Sequence, residues 1–258
     1  MDDNLNLFKG YDANKFAYIG LKDNLGIATA QNVALMEILK NSTCDTDEVI
    51  FFDQDSRVNK NFINDLSKSY RTLNHLNICA GLLGPLPFNK NTGESYPVKS
   101  KVTERVINQL PNNYIALDCL ISSGSITSVG VIKKCGLMKD ELFIDSVDHE
   151  WSWRVLSHGF INLLDTNISM GHLFGDGDIQ FLGINIRKGS PIRYYYSFRN
   201  WFYLFRLEYV PFKYKVNTLI KMPLKFIVYL YVFDRKLIRF KYMSKGIFHG
   251  IINRLGRY

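Results

Sequence analysis

The stretch EVIFFDQDSRV, residues 48–58, runs apolar for four positions and then presents Asp53 and Asp55 on either side of a glutamine. An uninterrupted apolar run of this length predicts a strand buried on both faces, the kind found at the centre of a parallel sheet. Two like charges at the end of such a strand repel each other unless a cation lies between them or one takes a proton. A solvated turn is the simpler explanation, because aspartate is a favoured turn residue. The segments on either side decide between the two.

Those segments alternate in type. FAYIGL (residues 16–21) predicts a short strand, followed by Asn24 and Gly26 and then by a helix with Ile27, Ala30, Ala34 and Ile38 on one face. After the aspartates, Phe62, Leu66, Tyr70 and Leu73 recur at helical spacing, and NICAGLLGP returns as a strand. FNKNTGESYPVKSK has the composition of a surface loop, and YIALDCLISSGSITS reads as strand, small-residue turn, strand. This order predicts an α/β domain. Sheets of that class bind ligands beyond the carboxyl ends of their strands, which is where Asp53 and Asp55 stand.

A second acidic cluster follows at LFIDSVDHEWSWRVLSHG (residues 142–159), where Asp145, Asp148 and Glu150, with Glu141 just before the stretch, fall within ten positions. A helix beginning near Asp148 places that carboxylate in its first turn, where the helix dipole favours negative charge. Glu150 and Arg154 would then form an i, i+4 surface pair worth about 0.3 kcal/mol. His172 comes next, in ISMGHLFGDGD. Oxygen ligands joined by one imidazole suit Mg²⁺ or Mn²⁺.

Length and composition set the frame. With 258 residues the chain is expected to form one large domain, or a domain with an appendage, and 47% apolar content places it among globular proteins. The opening MDDNLNLFKG is acidic and polar where a secretory signal has a basic region and an apolar run. Cys44, Cys79, Cys119 and Cys135 include no close pair of the zinc or redox type. They predict small core residues in a reducing compartment, and hence the cytoplasm.

Charge divides the chain in two. Residues 1–186 carry 16 Lys/Arg against 22 Asp/Glu, whereas 187–258 carry 16 against only Glu208 and Asp234, together with 19 of the 36 aromatic residues. The tail interleaves aromatic and basic side chains in PIRYYYSFRNWFYLFR and LIKMPLKFIVYLYVFDRKLIRFKY, and Ile247, Phe248, Ile251, Ile252 and Leu255 fall on one helical face. No run reaches the roughly 18 apolar residues of a spanning helix. Basic amphipathic helices of this kind lie in the plane of an anionic membrane surface. They also pack against a neighbouring domain with their lysines extended, and both are expected here.

DNLGIATAQN, FFDQDS, SSGS, LFIDSVDHEWSWR and GHLFGD occur in the order and spacing of the inverting nucleotide-sugar glycosyltransferases of family two. FFDQDS and LFIDSVDHEW, with the later SPIRYYYSFRN and GIFHGIINRLGR, most resemble the bacterial rhamnosyltransferase branch that builds O-antigen and related polysaccharides. The resemblance implies a GT-A fold with a mostly parallel central sheet over residues 1–186, followed by a helical, membrane-associating tail over 187–258. It implies that Asp53 and Asp55 hold Mg²⁺ or Mn²⁺ against the donor diphosphate, with His172 completing the metal site. Asp148 matches the catalytic base, although Val147 stands where its glutamate neighbour is usual. Asp145 and Glu150 match acceptor-side or supporting carboxylates. Asn24, Gly26 and Asn32 match the loop and helix flanking the nucleotide, and Asp53, Ser123 and Gly124 the donor pocket.

The resemblance further implies transfer of L-rhamnose from dTDP-L-rhamnose to a polyprenyl-diphosphate-linked saccharide, at the cytoplasmic face of the inner membrane. Relatives open with a strand of the VTYN kind, and this chain begins about one strand and helix later, so an N-terminally abbreviated domain is expected. An inactive, scaffolding relative is the alternative that this departure suggests. A haloacid-dehalogenase-like phosphatase also has a strand followed by two spaced aspartates, but Arg57 stands where its Thr or Val belongs. A nucleic-acid-binding tail fits the basic and aromatic composition, but the acidic body opposes it, and no nucleic-acid partner is expected.

Overall fold

The computed structural model describes residues 16–54, 56–89, 92–96, 98, 110–172, 178–181 and 184–258, so Asp55 and the first fifteen residues lie outside the described residues. Strands β1 (Glu48–Ile50), β2 (Ala80–Asn89), β3 (Tyr114–Ala116), β4 (Ile126–Ser128) and β5 (Ile161–His172) form one sheet in the order β1-β4-β2-β5-β3. Only β2 and β5 pair in parallel; β4 runs antiparallel to both β1 and β2, and β3 antiparallel to β5. The α/β class is as expected, but the sheet is mixed rather than mostly parallel. Parallel neighbours need a long crossover, and three-residue strands such as β3 and β4 instead come back on the sheet antiparallel.

The apolar run that opens the site correspondingly lies at the sheet edge, with β1 paired to β4. It is half-buried because Phe51 packs edge-on against Trp151, with ring centroids 6.3 Å apart. The strand expected at residues 16–21 is irregular chain, with Ile19 and Leu21 exposed.

Helix α1 (Ile27–Asn41) buries Ala28, Asn32 and Leu35 rather than the face carrying Ile27, Ala30, Ala34 and Ile38. Helix α2 (Phe62–His75) follows the spacing read from the sequence: Phe62, Leu66, Tyr70 and Leu73 are all buried against the sheet, and the Tyr70 hydroxyl donates to the Ala80 carbonyl at 3.0 Å. Helix α3 (Val129–Cys135) and helix α4 (Val147–Ser157) lie between β4 and β5. Trp151 and Val155 of α4 join Leu82, Val129 and Ile132 in the largest apolar cluster. Cys135 is buried as expected, while Cys44 and Cys79 are exposed.

Beyond a two-stranded sheet of β6 (Asp178–Phe181) and β7 (Ile184–Arg187), the chain ends in α5 (Pro191–Arg206), α6 (Phe212–Val232) and α7 (Lys236–Ile251). Tyr194, Phe198 and Trp201 of α5 bury with Met222, Phe233 and Met243 in a core of their own. Helices α5 and α7 approach closely at Gly246, where a Cβ would stand 2.5 Å from the Tyr195 carbonyl oxygen. The apolar face expected on α7 is divided: Ile247 packs into this core, whereas Phe248, Ile251 and Ile252 remain exposed.

Candidate active site

A cavity of about 960 Å³ opens among α1, the chain leaving β1, the turn at 121–123 and the start of α4. Five side chains singled out in the sequence line it: Asp53, Ser123, Asp145, Asp148 and His172. The stripe Ile27, Ala30, Ala34 and Ile38 of α1 forms an apolar wall of the same cavity. That is why this helix buries a different face.

Main-chain pairing continues past β1, with Phe51 N–H donating to Ser125 O at 3.0 Å and Gly124 N–H to Phe51 O at 2.7 Å. Ser123 Oγ then accepts the Asp53 N–H at 3.3 Å and shares a 2.7 Å hydrogen bond with Ser56. The small-residue turn thus holds both ends of the DQDS loop. Arg57 forms an isolated antiparallel bridge with Gly171, which brings the loop beside the end of β5 and His172. Asp53 and His172, far apart in sequence, line the same cavity.

Asp148 occupies the first turn of α4. Burial pushes its carboxyl above the usual aspartate range, and the nearby Asp53 charge acts in the same direction; His149 and hydrogen bonds from the Ser122 hydroxyl and N–H oppose them. Gln31 Nε2 donates in turn to Ser122 Oγ at 3.3 Å. A carboxylate held this way is ready to accept a proton.

The loop before α4 is strained. Phe143, Asp145 and Ser146 have φ values of 62°, 70° and 66°, left-handed conformations that cost about 1 kcal/mol or more each for residues with a Cβ. Helix α5 holds them. Asn200 Nδ2 donates to the carbonyls of Leu142, Ile144 and Asp145 at 3.1, 2.9 and 2.9 Å, and Arg199 Nη2 to those of Glu141 and Leu142 at 2.8 and 2.9 Å. Ser197 donates to the Asp145 carboxylate, and the Phe143 ring stacks on Tyr196 at 4.7 Å. The basic, aromatic segment therefore builds the inner frame of the site. Lys225 of α6 also feels Asp145: burial lowers its pKa and the carboxylate opposes that shift. The exposed Arg193 of α5 lines the cavity itself.

Five of the expected positions lie off the cavity wall. Asn24 Oδ1 accepts the Gly26 N–H at 3.0 Å, and Gly26, at φ 86°, starts α1 against the Phe143 carbonyl. Asn32 is buried, donating to Met138 O at 2.9 Å and Asp140 Oδ1 at 2.6 Å while accepting the Met138 N–H at 2.8 Å. Gly124 occupies the turn at φ 77°. Glu150 is completely buried, paired with Arg154 through contacts of 2.9 Å to each oxygen and bonded by the Tyr209 hydroxyl. The modest surface pair expected at i, i+4 is thus a buried one, because α5 and the chain after it cover that side of α4.

Ser122, Gln31, Arg193, Arg199 and Asn200 were not singled out from sequence. The first two were legible only as members of SSGS and ATAQN, and the Arg199–Asn200 pair as two strongly polar residues amid aromatics at a helical face.

Among the described residues no three His, Cys, Asp or Glu side chains cluster closely enough to hold a metal ion. Asp55 lies outside them, and the carboxylate of Asp53 and the imidazole of His172, both lining the cavity, are donor types that fit Mg²⁺ or Mn²⁺.

No protein-family model matches the chain. Among curated proteins it is similar to one named dTDP-rhamnosyl transferase RfbF from Shigella flexneri, with 36% identity over 204 residues. The chain is thus similar to a glycosyltransferase over most of its own length. The alignment covers 78% of this chain and spans 66%, just under two thirds, of the relative's length. The resemblance read from the five motifs is thereby borne out. Two solved structures align more distantly. One, titled GalNAc-T7 with UDP, GalNAc and Mn²⁺, has a TM-score of 0.48 and 14% identity over 91% of this chain and 45% of its own. The other, S. aureus TarS, has a TM-score of 0.46 and 16% identity over 92% and 37%.

Proposed function

We propose that the chain is an inverting glycosyltransferase. It moves L-rhamnose from dTDP-L-rhamnose onto a saccharide carried on a polyprenyl diphosphate, in the synthesis of O-antigen or another cell-surface polysaccharide. The observation that carries this reading is the meeting of Asp53, Asp148 and His172 on one cavity, in a chain 36% identical to a protein named for dTDP-rhamnosyl transfer.

Asp148 accepts the proton of the attacking acceptor hydroxyl, a role worth about 10²–10⁴-fold in rate. Its partners Ser122 and Gln31 fix the orientation of the carboxylate, and its partly enclosed position raises its basicity. Asp145, held by Ser197, stands on the acceptor side. A divalent cation, Mg²⁺ or Mn²⁺, held by Asp53, Asp55 and His172, supplies positive charge to offset that of the departing diphosphate. Arg193 adds a fixed positive charge at the same cavity.

Residues 1–186 carry the catalytic groups, and residues 187–258 seat the protein on the anionic cytoplasmic face of the inner membrane. Support comes from the outer face of α6, where Phe212, Ile220, Leu224, Ile227 and Tyr231 recur at helical spacing and are 63–80% exposed. Lys213 and Lys221 lie on the same helix. No described helix is long and apolar enough to cross a membrane. An amphipathic helix of this kind lies in the interface plane, where each nearby basic residue contributes about 1 kcal/mol on an anionic surface.

Calorimetric titration of dTDP, UDP and GDP, with and without Mn²⁺, tests the reading. Metal-dependent binding selective for dTDP is expected. Binding of none of the three would overturn it, and dTDP binding without any transfer would favour the inactive, scaffolding alternative.

A further inference from the structure

The wall of the cavity beside Asp148 contains a polar atom with an unmet requirement. Gln31 Oε1 is buried and has no hydrogen-bond partner within the described structure, while the amide nitrogen of the same side chain donates to Ser122 Oγ at 3.3 Å. A buried acceptor left unpaired is costly, and buried polar groups are paired in folded proteins with few exceptions. The amide nitrogen is engaged by Ser122 Oγ, which leaves Oε1 on the side of the amide away from that hydroxyl. Gln31, Ser122 and Asp148 all line the same cavity.

We propose that Gln31 Oε1 accepts a hydrogen bond from a hydroxyl group of the transferred sugar. The inference rests on the donor reading above and extends it to a residue that reads the sugar. The chemistry disfavours the groups next to the reacting bond. A carbonyl oxygen repels diphosphate oxygens, which are also acceptors. The reacting acceptor hydroxyl is taken by Asp148, one serine away. A ring hydroxyl of the transferred sugar, which lies between the diphosphate and the hydroxyl that Asp148 takes, is a donor suited to it. A site built to accept a hydrogen bond from a substrate hydroxyl discriminates strongly against ligands lacking it, because its own buried atom is then left unpaired. The same side chain is a positioning residue for Asp148 through Ser122, so that recognition of the sugar and orientation of the base share one amide.

Titration of dTDP-L-rhamnose and of dTDP into the full chain with Mn²⁺, for the wild type, Gln31→Ala and Ser122→Ala, decides the matter. Gln31→Ala is expected to bind dTDP-L-rhamnose about tenfold more weakly, as loss of one buried hydrogen bond implies, and dTDP as tightly as the wild type. The retained dTDP affinity shows at the same time that the variant is folded. Ser122→Ala is expected to keep the sugar-nucleotide affinity within about twofold while its kcat falls, because the serine acts through Asp148. Unchanged affinity of Gln31→Ala for dTDP-L-rhamnose would overturn the assignment while leaving the donor reading intact. A rise only in the acceptor KM of this variant would overturn it too, moving the contact to the accepting saccharide. A wild-type chain that binds neither nucleotide would overturn the donor reading and this inference with it.

Discussion

Asn200 donates its amide to the Asp145 carbonyl at 2.9 Å, joining a helix of the basic C-terminal region to the acidic loop that leads into Asp148. The same nitrogen reaches the carbonyls of Leu142 and Ile144. Three left-handed residues in one short loop are stable only where the surroundings over-determine the backbone. This amide, with the Arg199 guanidinium beside it, supplies that constraint.

Asn200→Ala removes a completely buried donor shared by three carbonyls and deprives those of Ile144 and Asp145 of their side-chain partner. A loss of about 2–3 kcal/mol of stability is expected, read as a lowered urea midpoint at unchanged slope. If the midpoint stays within experimental error, the loop is held by other contacts.

Asp148→Asn is expected to lower transfer by about 10²–10⁴-fold with dTDP-L-rhamnose affinity retained. The base must be ionised, and burial raises its pKa. Transfer by the wild type should therefore rise with pH along a limb lying above the ordinary aspartate range. A near-wild-type rate in the asparagine variant would remove Asp148 from the proposed role.

Glu150→Gln breaks a fully buried pair and leaves the Arg154 guanidinium uncompensated. A loss on the order of 3 kcal/mol is expected, seen as a lower thermal midpoint. Burial and the neighbouring Glu150 carboxylate both hold the Tyr209 hydroxyl in its protonated form, so Tyr209→Phe should destabilise by a smaller amount, about 1 kcal/mol. In the fraction that stays folded, nucleotide affinity should not change, because Glu150 lies off the cavity wall. A selective loss of binding would mark it as part of the site.

Ile220→Glu combined with Ile227→Glu places two charges on the exposed stripe of α6. Because both positions are 65–70% exposed, stability should change by no more than about 0.5 kcal/mol. Sedimentation with vesicles containing anionic phosphatidylglycerol should fall at least tenfold, and wild-type binding should weaken as salt is raised. Equal sedimentation of wild type and variant would remove this face as the membrane seat.

Gly26→Ala forces a Cβ to within 2.4 Å of the Phe143 carbonyl oxygen at a φ of 86°. A destabilisation of about 1–3 kcal/mol is expected, with loss of transfer exceeding loss of nucleotide affinity, because Phe143 begins the strained loop that leads to Asp148. Wild-type stability in this variant would show that α1 and the loop move independently.

The sequence by itself determined the family resemblance, the alternation of helices and strands, and five side chains of the cavity: Asp53, Ser123, Asp145, Asp148 and His172. It could do so because local spacing records them: an apolar run ending in aspartates, a small-residue turn, acids at the start of a helix. The amphipathic spacing of α2 was legible for the same reason, since its buried face is also its apolar face. Tertiary structure decided what depends on neighbours distant in the chain. The stripe on α1 looks like a core face and instead lines the cavity, because Asn32 buries the opposite side by satisfying Met138 and Asp140. Pairing of β4 with both β1 and β2 made the sheet mixed, since a three-residue strand carries no record of its direction. Glu150 and Arg154 had the spacing of a surface pair, and burial came with Tyr209, 59 positions after Glu150. The basic segment, whose charge suggested an appendage, supplies Arg199 and Asn200 to the loop that leads into Asp148, because a buried guanidinium and amide can satisfy backbone carbonyls of a strained loop.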